Sequence, residues 1–270
     1  MQDRYAGDVG DFIKLGLLRW LVAPSPFSHP YQLGVVWFRV TDEDQTTDGT
    51  QVGQVGYLDP ASAAGENLRP LDSYLYDRLR SLVADGDRSV SSLAESGLLP
   101  ENTRYFDRVL SFADLAPTDR AGRIVRRERW FHEAMVAVAS SSLVFVDPDN
   151  GLRRDDHAVP SHGNTAEKHT YLSEVGRLLE RGQSVVACHR VDPSEPVVAQ
   201  AASMMNDIHQ ALGVEPLAAV RALRDETRLF IVVPYSVHRS DLEDRLGALQ
   251  LSRWGDELLL HRWHRESVLA

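Results

Sequence analysis

The chain has 270 residues, 43% of them hydrophobic and 25% charged, with a formal net charge of −10. That length supports a full hydrophobic core, the composition is that of a globular protein, and no apolar run approaches the ~20 residues that span a bilayer. The acidic balance excludes indiscriminate nucleic-acid binding, which rests on neutralising phosphates, and the single cysteine, Cys188, excludes an intramolecular disulfide.

Residues 4–22 open as a glycine-spaced loop and continue as a helix with Phe12, Leu15, Leu18 and Leu21 at helical spacing. Asp8 or Asp11 is the expected N-cap. Lys14 stands in the first turn, where the helix dipole prefers an anion, so either something other than the helix calls for it there or it is a surface lysine. After the breaker-rich stretch from Pro24 to Pro30, Leu33 to Phe38 reads as a buried strand. An acidic loop follows, with Asp42, Glu43, Asp44 and Asp48, residues able to hold a cation or the hydroxyls of a ribose.

The middle of the chain is less regular. Pro70 to Val83 and Ser89 to Leu99 read as helices, making residues 59–102 a helical insert. Thr103 to Phe112 alternates as a strand does, and Val52 to Leu58 is a candidate for another. Arg120, Arg123, Arg126, Arg127 and Arg129 form a basic cluster, read as a solvated helix start or a phosphate site. The helix from Ile124 to Val138 leads into the most informative stretch of the sequence. There the apolar run Leu143 to Val146 ends directly in Asp147-Pro148-Asp149-Asn150-Gly151. An unbroken apolar run is the mark of a strand buried on both faces, and proline followed by glycine turns the chain off the sheet. Ligands of open α/β sheets bind outside the carboxyl ends of strands, so two carboxylates and an amide arrive where chemistry is expected.

Arg153 to Glu167 is polar and long for a connection, as binding segments often are. Lys168 to Arg181 is an expected helix, and Ser184 to Cys188 an expected strand with a buried thiol and with His189 and Arg190 at its carboxyl end. A helix from Val197 to Leu212 precedes two strands, Leu217 to Leu223 and Thr227 to Pro234, paired as a hairpin. Asp241 to Leu249 closes as a helix, and the tail beyond it carries no assignment. Alternating strands and helices with a hairpin only at the end predict one Rossmann-like α/β domain over residues 1–270. Its sheet is mostly parallel, with helices on both faces and a C-terminal antiparallel hairpin.

Tyr5-Ala-Gly-Asp-Val-Gly-Asp-Phe-Ile-Lys14, Val144-Phe-Val-Asp-Pro-Asp-Asn150 and Leu229-Phe-Ile-Val-Val-Pro-Tyr235 carry a resemblance. In this order they resemble the class I S-adenosylmethionine-dependent methyltransferases, particularly the ribosomal RNA adenine N6-methyltransferases of the RlmJ type. Lys14 falls on the lysine of that family's HAGNxADVxKH opening, and Asp147 on the aspartate of its Asp-Pro-Pro-Tyr motif. The chain is also similar to an uncharacterised bacterial family sharing GDxGDF and DPDNG. Three features depart from the methyltransferase pattern. The glycine-rich loop after the first strand is replaced by the acidic loop, Asp149 and Asn150 stand where the second proline and the aromatic residue belong, and the middle offers one clear strand for two.

The resemblance implies an enzyme that methylates a nitrogen of a nucleobase or small molecule. Asp147, Asp149 and Asn150 would be catalytic, Lys14, Asp42 and Asp44 would lie near S-adenosylmethionine, and Lys168, His189 and Arg190 would meet the substrate. A second reading is a phosphodiester or phosphate hydrolase with Mg²⁺ or Mn²⁺ held by Asp42, Asp44, Asp147 and Asp149. A third is a non-catalytic binding module on the same fold. The histidines show no metal-ligand spacing, and no serine sits at a glycine-flanked elbow. The absence of a signal-peptide apolar segment makes the cytoplasm the expected compartment.

Overall fold

The computed structural model describes residues 3–24, 30–39, 54–116, 118–155, 166–224 and 228–264. Among them are eight α-helices: Val9–Val22 (α1), Ala63–Leu68 (α2), Ser73–Ala84 (α3), Val90–Glu95 (α4), Arg120–Ala137 (α5), Leu172–Leu179 (α6), Val197–Leu212 (α7) and Arg239–Leu251 (α8). The strands are Leu33–Trp37 (β1), Arg104–Phe106 (β2), Leu143–Asp147 (β3), Gly151–Arg153 (β4), His169–Tyr171 (β5), Ser184–Arg190 (β6), Ala218–Ala222 (β7), Arg228–Val233 (β8) and Leu258–Arg262 (β9).

Seven strands form one sheet in the order β2-β1-β3-β6-β8-β7-β9, while β4 and β5 pair separately. β2, β1, β3 and β6 run parallel, and β8, β7 and β9 each run antiparallel to the strand before them. The fold is thus α/β and Rossmann-like, with antiparallel strands at its C-terminal side. The three apolar runs are adjacent and parallel as expected, and their register sets Trp37 beside Asp147 at the carboxyl ends.

Both faces of the sheet are covered, which is why its central strands read as unbroken apolar runs rather than alternating ones. Leu33, Val35, Leu143 and Phe145 face a core shared with α1, α3, α4 and α8. Their chain neighbours Val36, Val144 and Val146 face a second core with α5, α6 and α7. α1 lies in the first core so deeply that, of its fourteen residues, only Arg19 and Trp20 are not fully buried. Asp8 caps it, its Oδ1 accepting the Asp11 N–H at 2.9 Å.

Several expectations are corrected. Thr103 to Phe112 yields a three-residue strand and one isolated bridge, Arg39 to Val109, because residues 107 and 108 leave the ladder. Gly56–Leu58 is a 3₁₀ turn, so the described part of Val52 to Leu58 supplies no strand. Lys168 to Arg181 is not one helix. Its first residues form β5, and α6 begins only at Leu172, where Glu174 accepts the Tyr171 N–H. The unassigned tail contains β9, the edge of the sheet. The arginine cluster is not uniformly solvated either. Arg127 is buried, with Nε and Nη2 on the two carboxylate oxygens of Glu174, and it donates to the carbonyls of Ala166 and His169.

Gly16 marks the closest packing of α1. A Cβ there would lie 2.1 Å from the indole of Trp254, a buried ring stacked on Phe12 at 5.6 Å. Gly16→Ala gains up to about 1 kcal/mol of helix propensity but overpacks a rigid ring, at a typical cost of about 1–3 kcal/mol. The urea midpoint of the variant is expected to fall.

Candidate functional site

β3 ends in Asp147, buried at 2% exposure. Pro148 follows without an N–H to continue the ladder, so the chain leaves the sheet and Asp147 points its charge at whatever packs over the strand end. That partner is Lys14 of α1. Its Nζ donates to Asp147 Oδ2 at 2.8 Å and pairs with Asp11 Oδ1 at 2.7 Å. Asp11 Oδ2 accepts the Gly7 N–H at 2.9 Å, which fixes the carboxylate from its other side.

The N-terminal segment is strapped over this place. Asp3 pairs with Arg39 after β1 and accepts the Val90 N–H of α4, while Arg88 holds the Ala6 carbonyl and the Tyr57 hydroxyl holds that of Gly7. The result is a small cleft lined by Tyr5, Asp8, Asp11, Lys14, Asp147, Asp149 and Arg228. Its cavity is about 20 Å³, room for about one water.

The carboxylates are in unlike settings. Burial opposes ionisation of Asp147, but the charges of Lys14 and Arg228 outweigh it and hold the acid below its usual range. Burial also opposes the Lys14 ammonium, and Asp11 and Asp147 more than compensate, raising its pKa. Asp8 moves the opposite way from Asp147. Burial and the Asp11 charge push it up to about 6, against weaker pulls from Arg228, the Asp11 N–H and Lys14.

Of the residues expected at the site, Lys14, Asp147 and Asp149 line this one cleft. Asp42 and Asp44 lie outside the described residues. Asn150, Lys168, His189 and Arg190 belong to the adjoining framework rather than to the cleft wall. The Asn150 N–H donates to the Lys168 carbonyl at 2.8 Å, tying the turn after β3 to the approach of β5. His189 Nδ1 accepts the Leu152 N–H at 3.1 Å, which leaves the ring proton of the neutral form on Nε2. Burial, and next the neighbouring His169, lower its pKa to about 4. Gly151 makes that contact possible: its φ is +97°, and a Cβ would stand 2.6 Å from His189 Nδ1. Arg190 is exposed.

Tyr5, Asp8, Asp11 and Arg228 are cleft residues that the sequence reading did not assign to the site. For Asp8 and Asp11 a signal existed. With Lys14 they recur every three residues and share one helix face. Arg228 carried none, since it comes from β8, on the far side of β6, where its Nη1 lies 3.6 Å from Cys188 Sγ. Burial pushes that thiol up to about 11.

No family model matches the chain, and no curated protein is similar to it at a meaningful level. Among the described residues no helix is long and apolar enough to cross a membrane.

Two outcomes follow from the charges. Lys14→Met orphans two buried carboxylates and is expected to cost about 3–5 kcal/mol at neutral pH, less in acid where the carboxylates can take up protons. Denaturant titrations at several pH values measure this. Asp8 has a folded pKa above its unfolded value of 3.8, so the native state binds more protons between pH 4 and 6 and loses stability as pH rises through that window. Asp8→Asn keeps the cap and is expected to remove this loss, so its stability relative to wild type should improve by about 2 kcal/mol from pH 4 to pH 7.

Proposed function

We propose that the chain is a methyltransferase-like enzyme acting on an amino nitrogen of a nucleobase or small molecule, with S-adenosylmethionine as donor. The observation that carries this reading is Asp147: a buried carboxylate at the end of a central strand, kept ionised by a buried lysine, on a cleft where α/β sheets bind ligands. Burying three charges costs several kcal/mol each before their attraction is counted, and an apolar trio of similar volume would serve stability as well. A buried, ionised acceptor on a cleft suits the recognition of a substrate N–H.

The donor would supply the methyl group when bound. The described residues give it a polar flank but no cradle, because the cavity beside Asp147 admits about one water and residues 40–53 lie outside the described chain. What the chain's own groups do is clearer. Asp147 accepts a hydrogen bond from the substrate amino group and orients its lone pair. Lys14 holds the Asp147 carboxylate in place and charged. Arg228 adds to the positive potential that keeps it so.

The hydrolase reading finds less support in this geometry. The Lys14 ammonium already takes one oxygen of Asp147, an expected metal ligand, and Asp42 and Asp44 lie outside the described residues.

Asp147→Asn keeps the shape and removes the acceptor charge. Calorimetric affinity for S-adenosylmethionine is expected to stay within a few-fold of wild type, while methyl transfer should fall by roughly 10²-fold or more. Wild-type protein that ignores S-adenosylmethionine at millimolar concentration but binds Mn²⁺ would overturn the reading.

A further inference from the structure

We infer that Asp8 is the proton acceptor of this site: it takes from a bound amino nitrogen the proton that the nitrogen sheds on forming its new bond. The inference rests on the reading of the cleft as an amine site and adds the second catalytic group. Asp8 and Asp147 line the same cavity, which Lys14 also lines. Asp147 has one oxygen committed to the Lys14 ammonium. Asp8 spends Oδ1 on the Asp11 N–H, and among the described residues its Oδ2 accepts no hydrogen bond. One carboxylate is thus held by a cation, while the other keeps an oxygen for whatever enters.

The chemistry of the two settings is complementary. A base works best when its pKa lies near the working pH, and a pair of carboxylates driven apart by their surroundings divides the roles of acceptor and base. Asp147, pinned in its ionised form, is a poor proton carrier; Asp8, raised to about 6, is a serviceable one. The titratable and charged groups around Asp8 come from several elements, and of them Asp11, Arg228 and Lys14 act on its charge. The groups are Asp11 and Lys14 of α1, Asp147 and Asp149 at the end of β3, Arg228 of β8, Tyr5 of the N-terminal turn, Tyr57, whose hydroxyl donates to the Asp8 carbonyl at 3.3 Å, and Arg88 beyond it.

In the step itself the nitrogen lone pair would form the N–C bond as the donor's carbon–sulfur bond breaks with its pair left on sulfur; the N–H bond then breaks with its electron pair left on nitrogen, the proton bonds to the Asp8 carboxylate, and the acid formed loses it to water. Nothing is oxidised or reduced.

A purely structural role for Asp8 is its N-cap, and asparagine or serine fills that role. Asp8→Asn and Asp8→Ser therefore separate capping from proton transfer, and either serves if the other folds poorly. The probe is methylammonium chloride, titrated into the full chain by calorimetry at pH 6 in two buffers of different ionisation heat. A cation bound beside a half-protonated carboxylate displaces its proton, so wild type is expected to release up to about half a proton per amine bound, and both variants none. Binding without proton release in wild type, or equal release from the variants, overturns the role of Asp8 and leaves the amine site standing. Wild type that binds no methylammonium even well above pH 6 overturns the amine site and this inference together.

Discussion

The ammonium of Lys14 holds the architecture of the cleft together. It reaches from the first helix of the chain to the end of β3, bridging residues 133 positions apart in sequence, and both of its carboxylate partners are buried. Removing three charges from water is tolerable only because each finds a partner: Asp11 has Lys14 and the Gly7 N–H, Asp147 has Lys14 and the nearby field of Arg228. This contact fixes the end of β3 against α1 and keeps Asp147 charged.

A second buried ion pair on the other face shows what a structural network looks like in the same molecule. Arg127 bonds both oxygens of Glu174 and two carbonyls, lies 4.3 Å over the Tyr171 ring, and Glu174 also accepts the Tyr171 N–H. It fastens α5 to the start of α6 and to β5, and the carboxylate is fully used. The Lys14 network differs in opening onto a cavity, with Asp8 and Asp149 beside it. Saturation fits a fastening, and an unspent acceptor on Asp8 beside a cavity fits a site.

What could be read from the sequence was decided by burial on two faces. β1, β3 and β6 are covered by helices on both sides, so their composition alone marks them as strands, and the turn chemistry of Pro148 and Gly151 marks where β3 ends. β9 escaped because it is an edge strand with one buried face and mixed exposure, and β4 and β5 because three residues carry no period. Lys14 was legible as an anomaly, a cation where the dipole disfavours one, but its partner was not, because pairing across the fold leaves no local pattern. The buried arginine Arg127 was misread for the same reason: a charged residue on a helix looks solvated until the carboxylate that neutralises it is placed.

The charge of the cleft limits what can enter it. Four carboxylates, Asp8, Asp11, Asp147 and Asp149, face two cations, Lys14 and Arg228, and protonation of Asp8 reduces the excess. Phosphate brought to this opening would meet like charge in a site of low dielectric, where repulsion is poorly screened. A nucleic-acid substrate would therefore have to present a base to the cleft while its backbone is held elsewhere, as enzymes that work on extruded bases require. A small amine faces no such constraint, since its positive end is what the cleft attracts. Burial first, and then the Asp11 charge, raise Asp8 to about 6, so one of the acids that draw in an amine can also carry a proton in mildly acidic solution.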